Sequence, residues 1–234
     1  MFGEVVNGKS IVRQIENIAT DSGDKPNKPV IISDCGELHG EEAEEAVKKV
    51  PDVTGDPYED YPEDSGVDLT DAAAILKIAG ELKDLGNKAF KSDNKQLALS
   101  KYQKGLRYLQ ELTDPDESDN SKDILQQQAT LKFTLHANSA LLQNKLGLYE
   151  GALASATSAL EVPGLSDGDK AKALYRRGVA RSSRRDEEEA VKDLEDAGKL
   201  APGDKAIADQ LALVKKRLNE RKSKEKAAYK KFFD

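Results

Sequence analysis

Lys83 and Asn87 stand four residues apart in a segment of helical pattern, and so do Lys172 and Arg176. At that spacing two side chains share one face of a helix. Ammonium and guanidinium groups form charge-assisted hydrogen bonds with carboxylates. Asn138, set in the apolar run His136-Ala-Asn-Ser-Ala-Leu-Leu142, can donate its amide to a carboxylate or a peptide oxygen. The chemistry is anion recognition, and a peptide ending in Asp would offer two carboxylates. Each charged hydrogen bond contributes about 1.5–3 kcal/mol, so a few suffice for micromolar, reversible binding. A single Lys on a helix is ordinarily a solvated charge; only the set of five carries the inference. Phe90 and Leu141 are weaker candidates for apolar contact with upstream side chains of such a peptide. Catalytic and metal chemistry find no support: His39 and His136 lie far apart without ligand-like neighbours, and no cofactor is expected.

The elements that must position these residues are helices. The 234-residue chain is 34% charged and 5% aromatic, with no Trp, a balance suited to Ala/Leu-rich helices with charged surfaces rather than a β-sandwich. Helical pattern begins at Thr70, a candidate N-cap, and is broken at Asp114-Pro115 through Ser121, at Pro163-Gly164 and at Ala201-Pro-Gly203. Residues 39–69 form an acidic, Pro-containing linker. Eleven acidic residues stand against Lys48 and Lys49 between positions 41 and 68, with Pro51, Pro57 and Pro62 opposing helix. Solvation and spacing explain that stretch, with intramolecular pairing to the basic tail as the alternative. The lone Cys35 excludes an internal disulfide and fits a reducing compartment. No apolar run is long enough to cross a membrane, and a cytosolic or nuclear location is expected.

Three windows starting at Ala79, Phe133 and Ala171 align on a 34-residue, two-helix frame. Its eighth position is Gly86, Ala140 and Gly178; its twentieth is Ala98, Ala152 and Ala190; its twenty-seventh is Gly105, Ala159 and Ala197. Small residues at fixed positions let paired helices approach closely. An ordinary helical bundle with Ala-rich interfaces is the competing explanation. After the third window, Ile207, Leu211, Val214 and Leu218 make one apolar stripe, as a capping helix requires. The pattern resembles the tetratricopeptide repeat (TPR), most closely in the third copy, which ends in Leu200-Ala-Pro202. It departs from the family in having Leu82, His136 and Leu174 at the fourth position in place of Trp. Ala89, Gln143 and Arg181 stand at the usually aromatic eleventh. The resemblance implies an all-α fold: three repeats, near 79–112, 133–166 and 171–204, in a right-handed array over residues 70–202, then a basic amphipathic capping helix over 203–234. Lys83, Asn87, Asn138, Lys172 and Arg176 match the two-carboxylate clamp of chaperone-binding TPR domains. That implies partners ending in Met-Glu-Glu-Val-Asp or a similar tail, first the heat-shock protein 90 class and second the heat-shock protein 70 class. A general protein–protein scaffold is the alternative.

Phe2-Gly-Glu-Val-Val-Asn-Gly8, Val12-x-x-Ile-Glu16 and Val30-Ile-Ile-Ser-Asp-Cys-Gly-Glu-Leu38 resemble the end of a cyclophilin domain. The whole order of parts is similar to the large TPR-containing cyclophilins. Residues 1–38 are then a strand–helix–strand remnant of that domain, too small to enclose a core. Its strands 2–6 and 30–32 are expected to pair with each other or to stay poorly ordered. The family is peptidyl-prolyl cis-trans isomerase, but the catalytic Arg, Phe, Met, Trp and His of a cyclophilin would lie upstream. Met1 suggests a shortened form, and no isomerase activity is expected of this chain. Residues 215–231 carry nine Lys/Arg against Glu220 and Glu225, followed by Phe232 and Phe233. A solvated capping helix explains them, with calmodulin at 215–233 as the functional alternative. Nucleic-acid and membrane binding are not expected.

Overall fold

The computed structural model describes residues 3, 5–48, 53–112 and 121–233, without the side chains of residues 121, 228 and 230–233. Expected features at Phe2, Pro51, Asp114-Pro115 and the Phe232-Phe233 side chains therefore lie outside the described residues. Two units are present, Met1–Val67 and Asp68–Asp234.

The first unit holds α1 (Lys9–Glu16), α2 (Glu41–Ala46) and a 3₁₀ turn at Pro62–Asp64. The expected helix forms, but the strands around it do not. Residues 5–6 and 30–32 are irregular, and the described pairing in this unit is a single bridge between Thr20 and Pro26. Ile31 and Ile32 are about four-fifths exposed. β-prone residues without a partner strand leave their backbone groups to water, so propensity alone does not make a strand. The acidic stretch is more structured than a plain linker. Asn7 donates to the carbonyls of Ala46 (3.0 Å) and Lys48 (3.4 Å). Arg13 pairs with Asp64 at 3.4 Å and sits 5.7 Å from the centroid of the Tyr61 ring. Like charges and prolines were expected to make residues 39–69 a linker; a cation and an amide from α1 and its entry turn offset that repulsion locally.

The second unit is all-helical: α3 (Ala72–Lys91), α4 (Lys95–Gln110), α5 (Ser121–Lys145), α6 (Tyr149–Glu161), α7 (Asp167–Ser183), α8 (Glu187–Leu200) and α9 (Lys205–Phe233). The N-cap of α3 is Asp71, one residue beyond the expected Thr70; its carboxylate accepts from the Ala74 amide at 3.1 Å. Thr70 instead donates its hydroxyl to Asp68. Asn94 and Ser166 cap α4 and α7 in the same way. Each helix packs on the next, and α3, α5, α7 and α9 also touch in sequence, so the first helices of successive repeats share one side.

All nine Gly/Ala positions of the repeat frame are buried. A Cβ at Gly86 would come within 2.7 Å of Tyr102 Cδ1, and one at Gly178 within 2.9 Å of Leu194 Cγ. The turn inside each repeat is equally regular. Its fifteenth residue, Asp93, Gly147 or Arg185, takes a left-handed φ of 59°, 75° or 64°. The next amide bonds back to the eleventh carbonyl: Asn94 to Ala89 at 3.0 Å, Leu148 to Gln143 at 2.8 Å, Asp186 to Arg181 at 3.0 Å. This is the hydrogen bonding of a left-handed helix C-terminus. It recurs in register although three unlike residues occupy the turn.

At the eleventh position of the second and third repeats, polar pairs stand where aromatic residues would be usual. The Gln143 amide, with its nitrogen turned to α6, donates to Ser155 Oγ at 2.8 Å and to the Gly151 carbonyl at 2.9 Å. Arg181 reaches Asp193 at 2.7 Å, and Arg177 grips the same carboxylate at 2.7 and 3.0 Å. Apolar clusters then join one repeat to the next: Phe133, Ala137 and Ala159 with Ala173; Ala171 and Ala197 with Ile207; Ala190 and Leu194 with Val214. The stripe on α9 is thereby covered, with Ile207 and Val214 buried and Leu211 and Leu218 half-buried. Lys215–Glu195 (2.7 Å), Lys222–Glu188 (3.0 Å) and Arg221–Glu187 tie α9 to α8.

Opposite outcomes are expected at two helical glycines. Gly178→Ala should lower unfolding free energy by about 1–3 kcal/mol, because buried Leu194 cannot yield. Gly80→Ala, whose Cβ meets nothing within 4 Å, should raise it by about 0.5–1 kcal/mol through helix propensity. Urea denaturation of the two variants measures both.

Candidate functional site

The sequence-derived residues fall on three first helices. Lys83 and Asn87 lie on α3, Asn138 on α5, and Lys172 and Arg176 on α7. Tyr102 of α4 brings three of them together. Its hydroxyl donates to Asn87 Oδ1 at 2.7 Å. Burial raises the phenol pKa, while a hydrogen bond from Asn138 and the positive charge of Arg176 oppose that rise. Asn87, Phe90, Tyr102, Asn138, Leu141 and Leu142 line a cavity of about 160 Å³. Both weaker apolar candidates are therefore at its wall.

Asn138 also borders a second hollow of about 350 Å³. Its floor includes Phe133, Ala137, Val162 and Leu165, and its rim Thr130, Ser166, Asp169 and Lys172. The Lys172 ammonium lies 3.2 Å from Asp169 and 5.7 Å from the centroid of the Phe133 ring, with its side chain half exposed. Ser166 donates to Asp169 at 2.8 Å and accepts from its amide. Burial alone would raise the Asp169 carboxyl, but the bonds from Ser166 and Lys172 outweigh it and hold the group below its usual value. Lys83 stands one turn before Asn87, partly exposed and 3.4 Å from Asp84, and borders neither hollow.

The two neighbouring arginines of α7 differ sharply. Arg177 is saturated by Asp193. Arg176 is largely buried, and its Nη1 has no hydrogen-bond partner. Its carbonyl accepts from Asn144 of α5 at 2.9 Å, which locks α7 against α5 beside the guanidinium. Burial pulls the Arg176 pKa down to about 10, against a smaller opposing pull from Tyr102. The side chain is thus still a cation at neutral pH, desolvated and without a counter-ion among the described residues. An uncompensated buried charge costs stability unless an anion is supplied. Tyr102 and Asn144 are absent from the sequence-derived set. The signal for Tyr102 was its place at the twenty-fourth position opposite Gly86; Asn144 carried none.

Comparison with known proteins bears on the family and the fold. The family model of cyclophilin type peptidyl-prolyl cis-trans isomerases matches residues 1–37. Two strains of Cryptococcus neoformans var. neoformans serotype D have a peptidyl-prolyl cis-trans isomerase D that is 39% identical over 243 aligned residues. The alignment covers 100% of this chain and 64% of that protein, so the chain spans less than two-thirds of these relatives. Among solved structures, the C-terminal TPR-containing domain of a Plasmodium falciparum protein assigned as FK506-binding superposes with a TM-score of 0.58 at 25% identity. That match covers 65% of this chain and 95% of that domain. The UNC-45 chaperone, which binds and folds muscle myosin, gives 0.50 at 29% identity over 64% of this chain and 14% of its own. The second unit is a tetratricopeptide-repeat domain. With the match at its start and the similarity along its whole length, the chain resembles a TPR-containing cyclophilin. Among the described residues no helix is long and apolar enough to cross a membrane.

Replacing the unpaired cation should separate stability from binding. Arg176→Met removes a desolvated charge and is expected to raise unfolding free energy at pH 7 by about 1–3 kcal/mol. In the unaltered chain the folded-state penalty persists below pH 10 and is relieved only as pH rises past it, since the folded pKa is the lower one. Denaturation of both chains at pH 7 checks the sign.

Proposed function

We propose that the repeat array docks peptides that end in a free carboxylate, as a co-chaperone adaptor for the acidic C-terminal tail of a heat-shock protein 90 class chaperone. The observation that carries this reading is Arg176: a largely buried guanidinium with an unpartnered nitrogen, whose charge acts on Tyr102, the phenol that shares a cavity with Asn87 and Asn138. Lys83 and Lys172 add charge at either end of the set. The apolar floor at Phe133, Ala137, Val162 and Leu165 suits side chains upstream of the terminal Asp. A heat-shock protein 70 class tail, alike in its terminal carboxylates, is the second partner. The setting would be the cytosol or nucleus.

Two other readings are distinguishable. Isomerase activity belongs to the named relatives. Here the cyclophilin match ends at residue 37, Arg13 of that segment is engaged by Asp64, and Ile11, Val12 and Ile15 of α1 are exposed. Without a preformed pocket an X-Pro barrier of about 18–20 kcal/mol stays in place. A general scaffold for internal peptide segments would not need a terminal carboxylate. For the basic helix, calmodulin at 215–233 would compete with the pairs that Lys215, Arg221 and Lys222 make with α8, whereas Lys216, Arg217, Lys224 and Lys226 are exposed and outside those pairs.

Calorimetric titration with Met-Glu-Glu-Val-Asp and with its C-terminal amide tests the leading reading. Micromolar binding of the acid and its loss with the amide are expected; equal binding of both would favour the scaffold. Lys83→Ala and Arg176→Met should each weaken the acid by at least about tenfold. A protease-coupled assay on an X-Pro peptide should show no turnover above the uncatalysed rate, and measurable turnover would restore the enzymatic reading.

A further inference from the structure

Tyr102 belongs to the second helix of its repeat, yet its oxygen reaches the side chains of the first helices. We infer that Tyr102 is a positioning residue for carboxylate recognition, fixing the amide of Asn87 so that its nitrogen is left to face the ligand. This inference rests on the carboxylate-docking reading above.

The ring and the hydroxyl do separate work. The ring is 2% exposed and lies where a Cβ on Gly86 would go. The same position in the other repeats holds Ala156 and Leu194, both fully buried, so an apolar group there is enough for packing. The hydroxyl is the addition peculiar to the first repeat. It donates to Asn87 Oδ1 at 2.7 Å, which occupies the acceptor end of that amide. An Asn amide presents an acceptor oxygen and two N–H donors about one rotatable bond. Unrestrained, it would turn its oxygen toward a carboxylate in part of the population. With the oxygen engaged by Tyr102, only the N–H groups remain to meet an anion. Asn138 and Arg176 act on the same hydroxyl, and Asn138 shares the cavity wall with Asn87 and Tyr102. The phenol thus bonds Asn87 on α3 and shares a cavity with Asn138 on α5.

Tyr102→Phe keeps the ring and removes the donor. The full chain, Tyr102→Phe, Asn87→Ala and the double variant are titrated with Met-Glu-Glu-Val-Asp and its amide, and their melting temperatures are recorded. Tyr102→Phe should weaken the acid by about five- to tenfold and leave the amide and the melting temperature unchanged. In the Asn87→Ala background it should weaken the acid no further, because the residue acts through that amide. Unchanged acid affinity, equal loss for acid and amide, or a full additive loss without Asn87 would overturn the inference. A lower melting temperature with affinity retained would assign the hydroxyl to stability alone and overturn it too. If the unaltered chain does not distinguish acid from amide, the docking reading itself falls and takes this inference with it. If it does distinguish them and Tyr102→Phe binds as tightly, only the role of Tyr102 falls.

Discussion

Within each repeat two helices approach so closely that a methyl group is the largest side chain the contact accepts. At Gly86 and Gly178 even that is too much, because Tyr102 and Leu194 already fill the space. Such a contact fixes more than a distance. It sets the rotation of each first helix about its axis, since only one line of small residues permits the approach. With that rotation fixed, the first helices α3, α5 and α7, which carry Lys83, Asn87, Asn138, Lys172 and Arg176, are held in one row. The left-handed turns at Asp93, Gly147 and Arg185 serve the same end, returning the chain at one angle three times whatever residue stands there. A binding surface assembled from three repeats depends on this reproducibility, because an error in one rotation would carry its contribution out of reach.

Charge is abundant in the second unit, and what separates one cation from another is its partner. Asp193, with a side chain only 4% exposed, takes bonds from both Arg177 and Arg181. Glu189, 3.7 Å from Arg181, supplies the second negative charge, so the two arginines are balanced between α7 and α8. Arg176, the next residue along the chain, is desolvated with no carboxylate to answer it. The fold holds it there through a bond that does not touch its charge, from Asn144 to its carbonyl. A group already dehydrated and immobilised has less to lose on binding an anion than a free surface lysine.

Much of this was legible from residue types alone, and the limits are physical. Nine small residues at three frame positions, and the Ile207–Leu218 stripe, declare the repeats and the cap because burial selects size and period directly. The frame assigns the five polar residues to first helices, and that is where they lie. Tyr102 escaped notice because a buried tyrosine has the size and period of a core residue; its hydroxyl matters only through a neighbour fifteen residues away. Asn144 was hidden for the same reason, its partner being a backbone atom thirty-two residues on. At the other end, Val30-Ile-Ile32 reads as a strand by composition, but strand formation is decided by a pairing partner that these residues lack. The pairing of Arg13 with Asp64 in the acidic stretch spans fifty-one residues, beyond the reach of local pattern.

The joint between α8 and α9 is made differently from those before it. Beside the buried Ile207 and Val214, it is fastened by ion pairs at Glu187, Glu188 and Glu195, several of whose partners are open to solvent. Dissolved salt shortens the reach of such charges, from about 8 Å under physiological conditions to about 3 Å at 1 M. Apolar joints are indifferent to this screening, and excluded salts strengthen them. In a stack whose units contact only their neighbours, stability is a chain of separate links. Ionic strength therefore acts directly on the terminal link, slackening it. The ordered length of the array at its C-terminal end becomes a property of the solution as well as of the sequence.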